Sequence, residues 1–321
     1  MKLTSISLIL LLVAMCGPYA SAFAQNLNIQ HLGTFDLSTG YISDMASDSD
    51  YTYILASDQD YRLYCYDLSD PASPLQLSAL DLARPQTNDF VRELKVQGDL
   101  LIIAFGSSFS LCDISNPYAI SELARMDADN RITSFAVHGD QLYASANNQV
   151  MHWNIANPQD PVRLGDLAYP GVRLMHLYQD TMYLWLDRGS YAVYDVSDPL
   201  EYSFIGEYAP TVNGYLPSFC EQYLFIYASS LLNIHDLSDP LNPVFLSSIP
   251  LVTNFSVVSQ IILLDDQLSL VYQPNVDNLT ACQIFDISDV TTPQMVSLDI
   301  LDNVMAIHGD DGRKVAICDQ A

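Results

Sequence analysis

Six segments of the chain repeat one phrase. They read YDLSDPASPLQL from Tyr66, CDISNPYAISEL from Cys112, WNIANPQDPVRLG from Trp153, YDVSDPLEYSFIG from Tyr194, HDLSDPLNPVFLSS from His235 and FDISDVTTPQMVS from Phe285. With the second residue as marker, the positions are Asp67, Asp113, Asn154, Asp195, Asp236 and Asp286, spaced by 46, 41, 41, 41 and 50 residues. A unit recurring every ~40–50 residues restricts the chain to helical repeats or to the blades of a β-propeller. Helical repeats need a 3.6-residue apolar period and plentiful Glu and Lys, whereas here only five of the 38 acidic residues are Glu and Lys occurs three times. The remaining acid is Asp, a turn former. The composition therefore selects short strands joined by many turns.

One period can be read strand by strand. From Ile132 a first apolar run ends at His138-Gly139-Asp140, a second spans Gln141 to Ala146, a third Gln149 to Ile155 and a fourth Pro161 to Leu167. Four such strands separated by Gly, Asn and Asp predict an antiparallel meander. A single meander cannot bury both faces, so it needs neighbours on either side. The fold class expected is all-β, a propeller of four-stranded antiparallel blades.

Within the phrase, the marker oxygen and the Ser two residues on are expected to accept hydrogen bonds from turn N–H groups, while Asp-Pro or Asn-Pro fixes the change of direction. Asn154 replaces the marker Asp, and Asn116 and Asn157 replace the acid before Pro. Asn keeps the accepting oxygen and loses the charge, so the phrase is a structural turn motif and not a set of catalytic carboxylates. The large residue before the marker (Tyr66, Trp153, Tyr194, His235 or Phe285) is expected between blades. The run SYAVYDVSDPLEYSFIGEY from Ser190, with its companions, resembles the LVIVD-repeat proteins. That resemblance implies an exported β-propeller and no assigned activity. The last copy departs from the pattern, with Val290 where Pro is usual.

Six copies suggest six blades, but both ends carry further strand-like segments. NIQHLGTFDL from Asn28 looks like a fourth strand, and NVMAIHGDDGRKVAICD from Asn303 looks like first strands. Seven blades are expected on this ground, the last composite, short of a strand and closed by the N-terminal strand, with six as the alternative. The first residues, charged at Lys2, apolar from Ile6 to Ala14 and small at Ala20 to Ala24, describe a secretory leader over residues 1–24, followed by a single propeller domain over 25–321. A lipoprotein signal with Cys16 lipidated is the competing reading. The chain is expected to be exported, to the cell surface, periplasm or medium, and monomeric. After the leader no segment offers the ~20 apolar residues that cross a bilayer.

A net charge of −26 repels phosphate backbones and argues against nucleic acid as a partner. Cys65, Cys112, Cys220, Cys282 and Cys318 are odd in number and widely spaced, with no C-x-x-C pair, so neither a disulfide framework nor a zinc site is signalled. Cys65, Cys112 and Cys282 fall at related places in the repeat and read as small buried residues. No H-E-x-x-H, G-x-S-x-G or phosphate-binding Gly loop occurs. No cofactor is expected, apart from calcium, for which Asp48, Asp50, Asp58 and Asp60 are oxygen-rich candidates in successive loops.

Two functional classes follow: a secreted scaffold that binds a protein or a small anionic or carbohydrate ligand, or a propeller hydrolase or lyase on an extracellular polymer. For the scaffold the repeat suggests a site. Seven residues before Asp50, Asp99, Asp140, Asp180, Gln222, Asp266 and Asp310 stand Ser43, Arg92, Thr133, Arg173, Tyr215, Ser259 and Asn303, all polar in otherwise apolar first strands. First strands line a propeller's channel, so these residues are expected to ring its mouth. Arg131, two before Thr133 on the same strand side, would join Arg92 and Arg173 in an anion or carboxylate site. The bland alternative is that strand ends are simply wet.

Overall fold

The computed structural model describes residues 5–11, 29–35 and most of 41–320, the longest interruptions being 84–89, 210–217 and 273–278. Every regular element it describes is a strand. Two lie near the start, β1 (Ser5–Leu11) and β2 (Ile29–Phe35). The first blade comprises β3 (Tyr41–Ser47), β4 (Tyr51–Ser57), β5 (Tyr61–Asp67) and β6 (Leu75–Leu82). The second comprises β7 (Glu93–Gln97), β8 (Leu100–Ala104), β9 (Ser108–Asp113) and β10 (Ser121–Asp127). The third comprises β11 (Ile132–His138), β12 (Gln141–Ala146), β13 (Gln149–Asn154) and β14 (Val162–Ala168), close to the runs read from sequence. The fourth comprises β15 (Val172–Tyr178), β16 (Thr181–Leu186), β17 (Tyr191–Asp195) and β18 (Ser203–Tyr208). The fifth comprises β19 (Ser218–Cys220), β20 (Tyr223–Ala228), β21 (Leu231–Asp236) and β22 (Val244–Pro250). The sixth comprises β23 (Val258–Leu264), β24 (Gln267–Tyr272), β25 (Leu279–Asp286) and β26 (Gln294–Asp302). The last two strands are β27 (Val304–Asp310) and β28 (Arg313–Gln320).

The protein is an all-β propeller of four-stranded antiparallel blades, and the blades that follow the repeat number six. The expectation of seven is corrected accordingly. The chain ends do form a sheet, but in the order β2-β1-β28-β27, without a motif turn between its strands. It is not short of a strand either, because β1, from within the expected leader, lies between β28 and β2. The segment Asn28 to Leu37 was expected to meet the C-terminal strands directly. Its strand β2 pairs with β1 instead.

The chain divides into two compact units, Leu80–Ser248 and Met1–Ala79 with Ile249–Ala321. In the first of these, second and third strands are buried almost throughout, as in β12 and β13, while the fourth strand β14 alternates between exposed and half-buried. Strands covered on both faces need continuous apolar runs, and outer strands need only one apolar face. Adjacent blades meet along their first strands: Lys95 Nζ donates to Phe135 O (2.8 Å), and Ser134 Oγ accepts from Met175 N (3.2 Å). Deeper in, Phe109 of the second blade packs edge-on against Phe135 (5.4 Å) and Trp153 (5.8 Å) of the third. Trp153, Tyr66, Tyr194 and Phe285, the large residues before the marker, are buried. His235 in the same place is half-buried.

The motif acts as an Asx turn. In all six copies the marker Oδ1 accepts from the backbone N–H two residues on, at 2.7–2.9 Å. The N–H between them, one residue after the marker, docks the turn onto the first hairpin: Ile114 N donates to Asp99 O, Ile155 N to Asp140 O, Val196 N to Asp180 O, Leu237 N to Gln222 O and Ile287 N to Asp266 O. The Ser of the motif differs from expectation. It supplies a donor, Ser115 Oγ to Asp113 Oδ1 at 2.6 Å, and Ala156 dispenses with it in the third blade. Replacing Asn154 with Asp is expected to leave the melting temperature unchanged, whereas Asn154→Ala is expected to cost about 1 kcal/mol by orphaning the Ala156 N–H. Equal melting of the two variants would refute the hydrogen-bond account.

Bulges recur at fixed places. On first strands an extra residue sits between Ile42 and Asp44, Ile132 and Ser134, Val172 and Leu174, and Val258 and Gln260. On outer strands it sits between Glu122 and Ala124, Gly165 and Arg163, Gly206 and Phe204, and Ser297 and Met295. The outer bulges twist the blade edges and break the straight row of unpaired N–H and C=O groups that would otherwise invite edge-to-edge association.

Candidate functional site

The first-strand bulges explain the polar column found in the sequence. Ser43, Thr133, Arg173 and Ser259 are the extra residues themselves, left out of the ladder between paired neighbours. In the second blade Arg92 stands just before β7, its N–H donating to Ala104 O (2.8 Å), the residue with which Glu93 pairs. An unpaired residue turned out of an apolar strand meets water, which is why a polar side chain suits it. Ser43, Thr133 and Arg173 are exposed and Arg92 is half-buried. Ser43 Oγ donates to Ser57 Oγ (3.0 Å), and Thr133 Oγ1 lies 2.8 Å from Ser145 Oγ, so these two are anchored to the neighbouring strand. Tyr215 and Asn303 fall outside the described residues, as does the side chain of Ser259.

Two of the three expected cations come together, on a residue the sequence reading did not select. The Arg92 guanidinium carbon stands 4.4 Å from the centre of the Phe90 ring and that of Arg131 stands 4.9 Å from it. Arg173 does not share this ring. Phe90 is 45% exposed. The repeat accounts for the meeting: Phe90 lies nine residues before Asp99 and Arg131 nine before Asp140, so they are equivalent positions of adjacent blades. Extending the alignment by two residues would have revealed the aromatic.

No carboxylate among the described residues pairs with Arg92 or Arg131. Arg125 and Arg163 contrast with them, held by Glu122 (2.7 Å) and by Asp129 (2.7 Å) and Asp166 (2.8 Å). Burial first, and the neighbouring Arg131 charge second, hold Arg92 below its ordinary pKa. Its Nε is out of water and has no acceptor. A ring face attracts each cation through its quadrupole, which offsets part of their mutual repulsion. The arrangement leaves guanidinium donors able to bind an anion.

Other candidates serve the fold. Asp48 Oδ1 accepts from Asp50 N (2.8 Å) and Tyr51 N (2.7 Å), and its Oδ2 accepts from Tyr53 OH (2.9 Å), so it ties the first hairpin. Asp50 and Asp60 are exposed, Asp58 lies outside the described residues, and no group of three or more metal-ligating side chains occurs among the described residues. Cys65, Cys112 and Cys282 are buried free thiols, each in a third strand, and burial pushes Cys65 and Cys112 up to about 12. His152 is fully buried between blades: Nε2 lies 2.7 Å from Gln141 Oε1, Nδ1 lies 2.5 Å from Tyr202 OH, and its ring stacks on Tyr143 at 4.3 Å. Burial lowers its pKa to about 4. His176 joins the fourth blade to the fifth, stacked on Phe219 at 5.3 Å with Nε2 3.0 Å from Glu221 O, and is likewise lowered to about 4. Among the described residues no helix is long and apolar enough to cross a membrane.

The second blade also bears on the repeat's kinship, since the segment from Phe90 to Ala128 matches a known repeat family. Residues 90–128 match the LVIVD repeat. The LVIVD repeat thus begins at the exposed Phe90, contains Arg92 and stops three residues short of Arg131. No protein of curated function matches the chain. In fold it is similar to a functionally unknown protein from Desulfotomaculum acetoxidans (10% identity, 94% of this chain and 99% of that one, TM-score 0.64). It is also similar to a protein from Lactobacillus plantarum (12% identity, 92% and 100%, TM-score 0.63). A third likeness is the periplasmic gluconolactonase of Pseudomonas aeruginosa (12% identity, 92% and 98%, TM-score 0.63). At such identities the shared property is the fold.

Proposed function

We propose that this LVIVD-repeat propeller is an exported scaffold that binds a ligand without transforming it, and that Phe90, Arg92 and Arg131 form its anion seat. The observation that carries this reading is the pair of guanidiniums over one half-exposed ring, with no carboxylate among the described residues on either, in a chain of net charge −26. Where acids are so abundant, an arginine pair that none of the described acids meets is open to an external acceptor. The hydrolase or lyase alternative needs a carboxylic acid held above its ordinary pKa as a general acid. Asp113, Asp195, Asp239, Asp286 and Asp289 are instead held below it by Ser, Asn or Thr partners and backbone N–H groups of their turns. Titration calorimetry against a panel of carboxylates, acidic sugars and inorganic anions tests the reading. Binding that falls at least tenfold in the double variant Arg92→Ala, Arg131→Ala, with the melting temperature preserved, is the expected result. Wild-type affinity in that variant, or turnover of a panel member, would overturn it.

A further inference from the structure

The same three residues constrain what the anion is attached to, an inference that rests on the anion-seat reading. Two planar guanidinium forks with no carboxylate partner among the described residues match the two oxygens of a carboxylate, which can take parallel N–H bonds from one fork while leaving lone pairs for the other. The repulsion between the two cations is relieved by a single negative charge. Added charge on the ligand meets the field of a protein carrying −26 overall, so a monoanion is favoured over a dianion during approach, most of all at low salt. The third member of the cluster is apolar. Phe90, 45% exposed beside two charged groups, offers carbon surface that a bare inorganic ion would leave wet and that an organic body would cover.

We propose that Phe90, Arg92 and Arg131 bind the carboxylate of an organic monoacid whose carbon body lies against the exposed part of the Phe90 ring. Calorimetric titration of the full chain with benzoate, acetate and inorganic phosphate separates the possibilities. Benzoate is expected to bind about tenfold tighter than acetate, the difference expected from burying part of a ring. Phosphate is expected to be the weakest. Phe90→Ser is expected to bring benzoate down to the acetate level, and the Arg92→Ala, Arg131→Ala variant to weaken both acids. Both substitutions are at half-buried or exposed positions, and thermal melts verify folding. Equal affinity for benzoate and acetate, or an unchanged preference in Phe90→Ser, overturns the organic body. Phosphate binding tighter than benzoate, and lost in the arginine variant, overturns the carboxylate assignment while leaving the anion seat standing. Failure of all three probes to bind overturns both.

Discussion

Between pH 6.5 and 4 the protein is expected to lose about 3 kcal/mol of stability through His152 alone, because its pKa falls from 6.5 to about 4 on burial. The neutral ring fits its site: the N–H at Nε2 donates to Gln141 Oε1, and the bare Nδ1 accepts from Tyr202 OH. Tyr143, stacked on the ring, is uncharged as well, so none of the ring's three partners compensates an imidazolium. Since the folded state binds the proton less readily than the unfolded chain, the contribution is complete above the unfolded pKa and drains away as pH falls toward the folded one. His176, lowered to about 4 between the next two blades, adds loss of the same sign. The turn carboxylates Asp113 and Asp286, held below their ordinary range, lose their contribution only at still lower pH. Urea denaturation at pH 7.5, 5.5 and 4.5 measures the slope, which should flatten in His152→Gln. A midpoint independent of pH over that range would show that the ring is charged or hydrated in the folded protein.

Trp153→Ala is expected to destabilise by about 3–5 kcal/mol, the range for emptying an aromatic site in a close-packed core. The indole is 3% exposed, receives Phe109 of the preceding blade edge-on and lies under Arg163, whose guanidinium carbon is 5.5 Å from the ring. Its removal opens a void among Ile102, Leu111, Phe135 and Leu142 at the seam between two blades. A loss below about 1 kcal/mol in denaturant titrations would mean that the seam collapses onto the cavity or that the blades hold together chiefly along their first strands.

The turn chemistry and strand order of the six blades were legible because each marker solves its hydrogen bonding locally, within two residues. The Asn154 substitution alone was enough to separate acceptor from acid. The ends were read less well: β2 carries the apolar pattern of an outer strand, yet nothing in that pattern states whether its partner is β28 or β1. The polar column at Ser43, Thr133 and Arg173 was visible, but its cause, a bulge, was not, because an inserted residue leaves the spacing to the next turn unchanged from blade to blade. Phe90 was missed because a single aromatic beside a first strand looks like core until its neighbour across the blade boundary is known.

Those bulges bear on how such a chain changes over time. A residue inside the ladder is constrained by the strand on either side, by the pleat and by the packed blade beyond, whereas the bulged residue keeps at most a side-chain hydrogen bond to its neighbour, as Ser43 and Thr133 do. Serine, threonine and arginine already occupy the slot in different blades of this one molecule. Four blades among the described residues therefore carry a position that mutation can rewrite at little cost to folding, and duplication of such a blade copies the open slot alongside its scaffold. New ligand preferences can be drafted there one blade at a time, and a designer wishing to graft a recognition surface onto this chain would begin at Ser43 and Thr133.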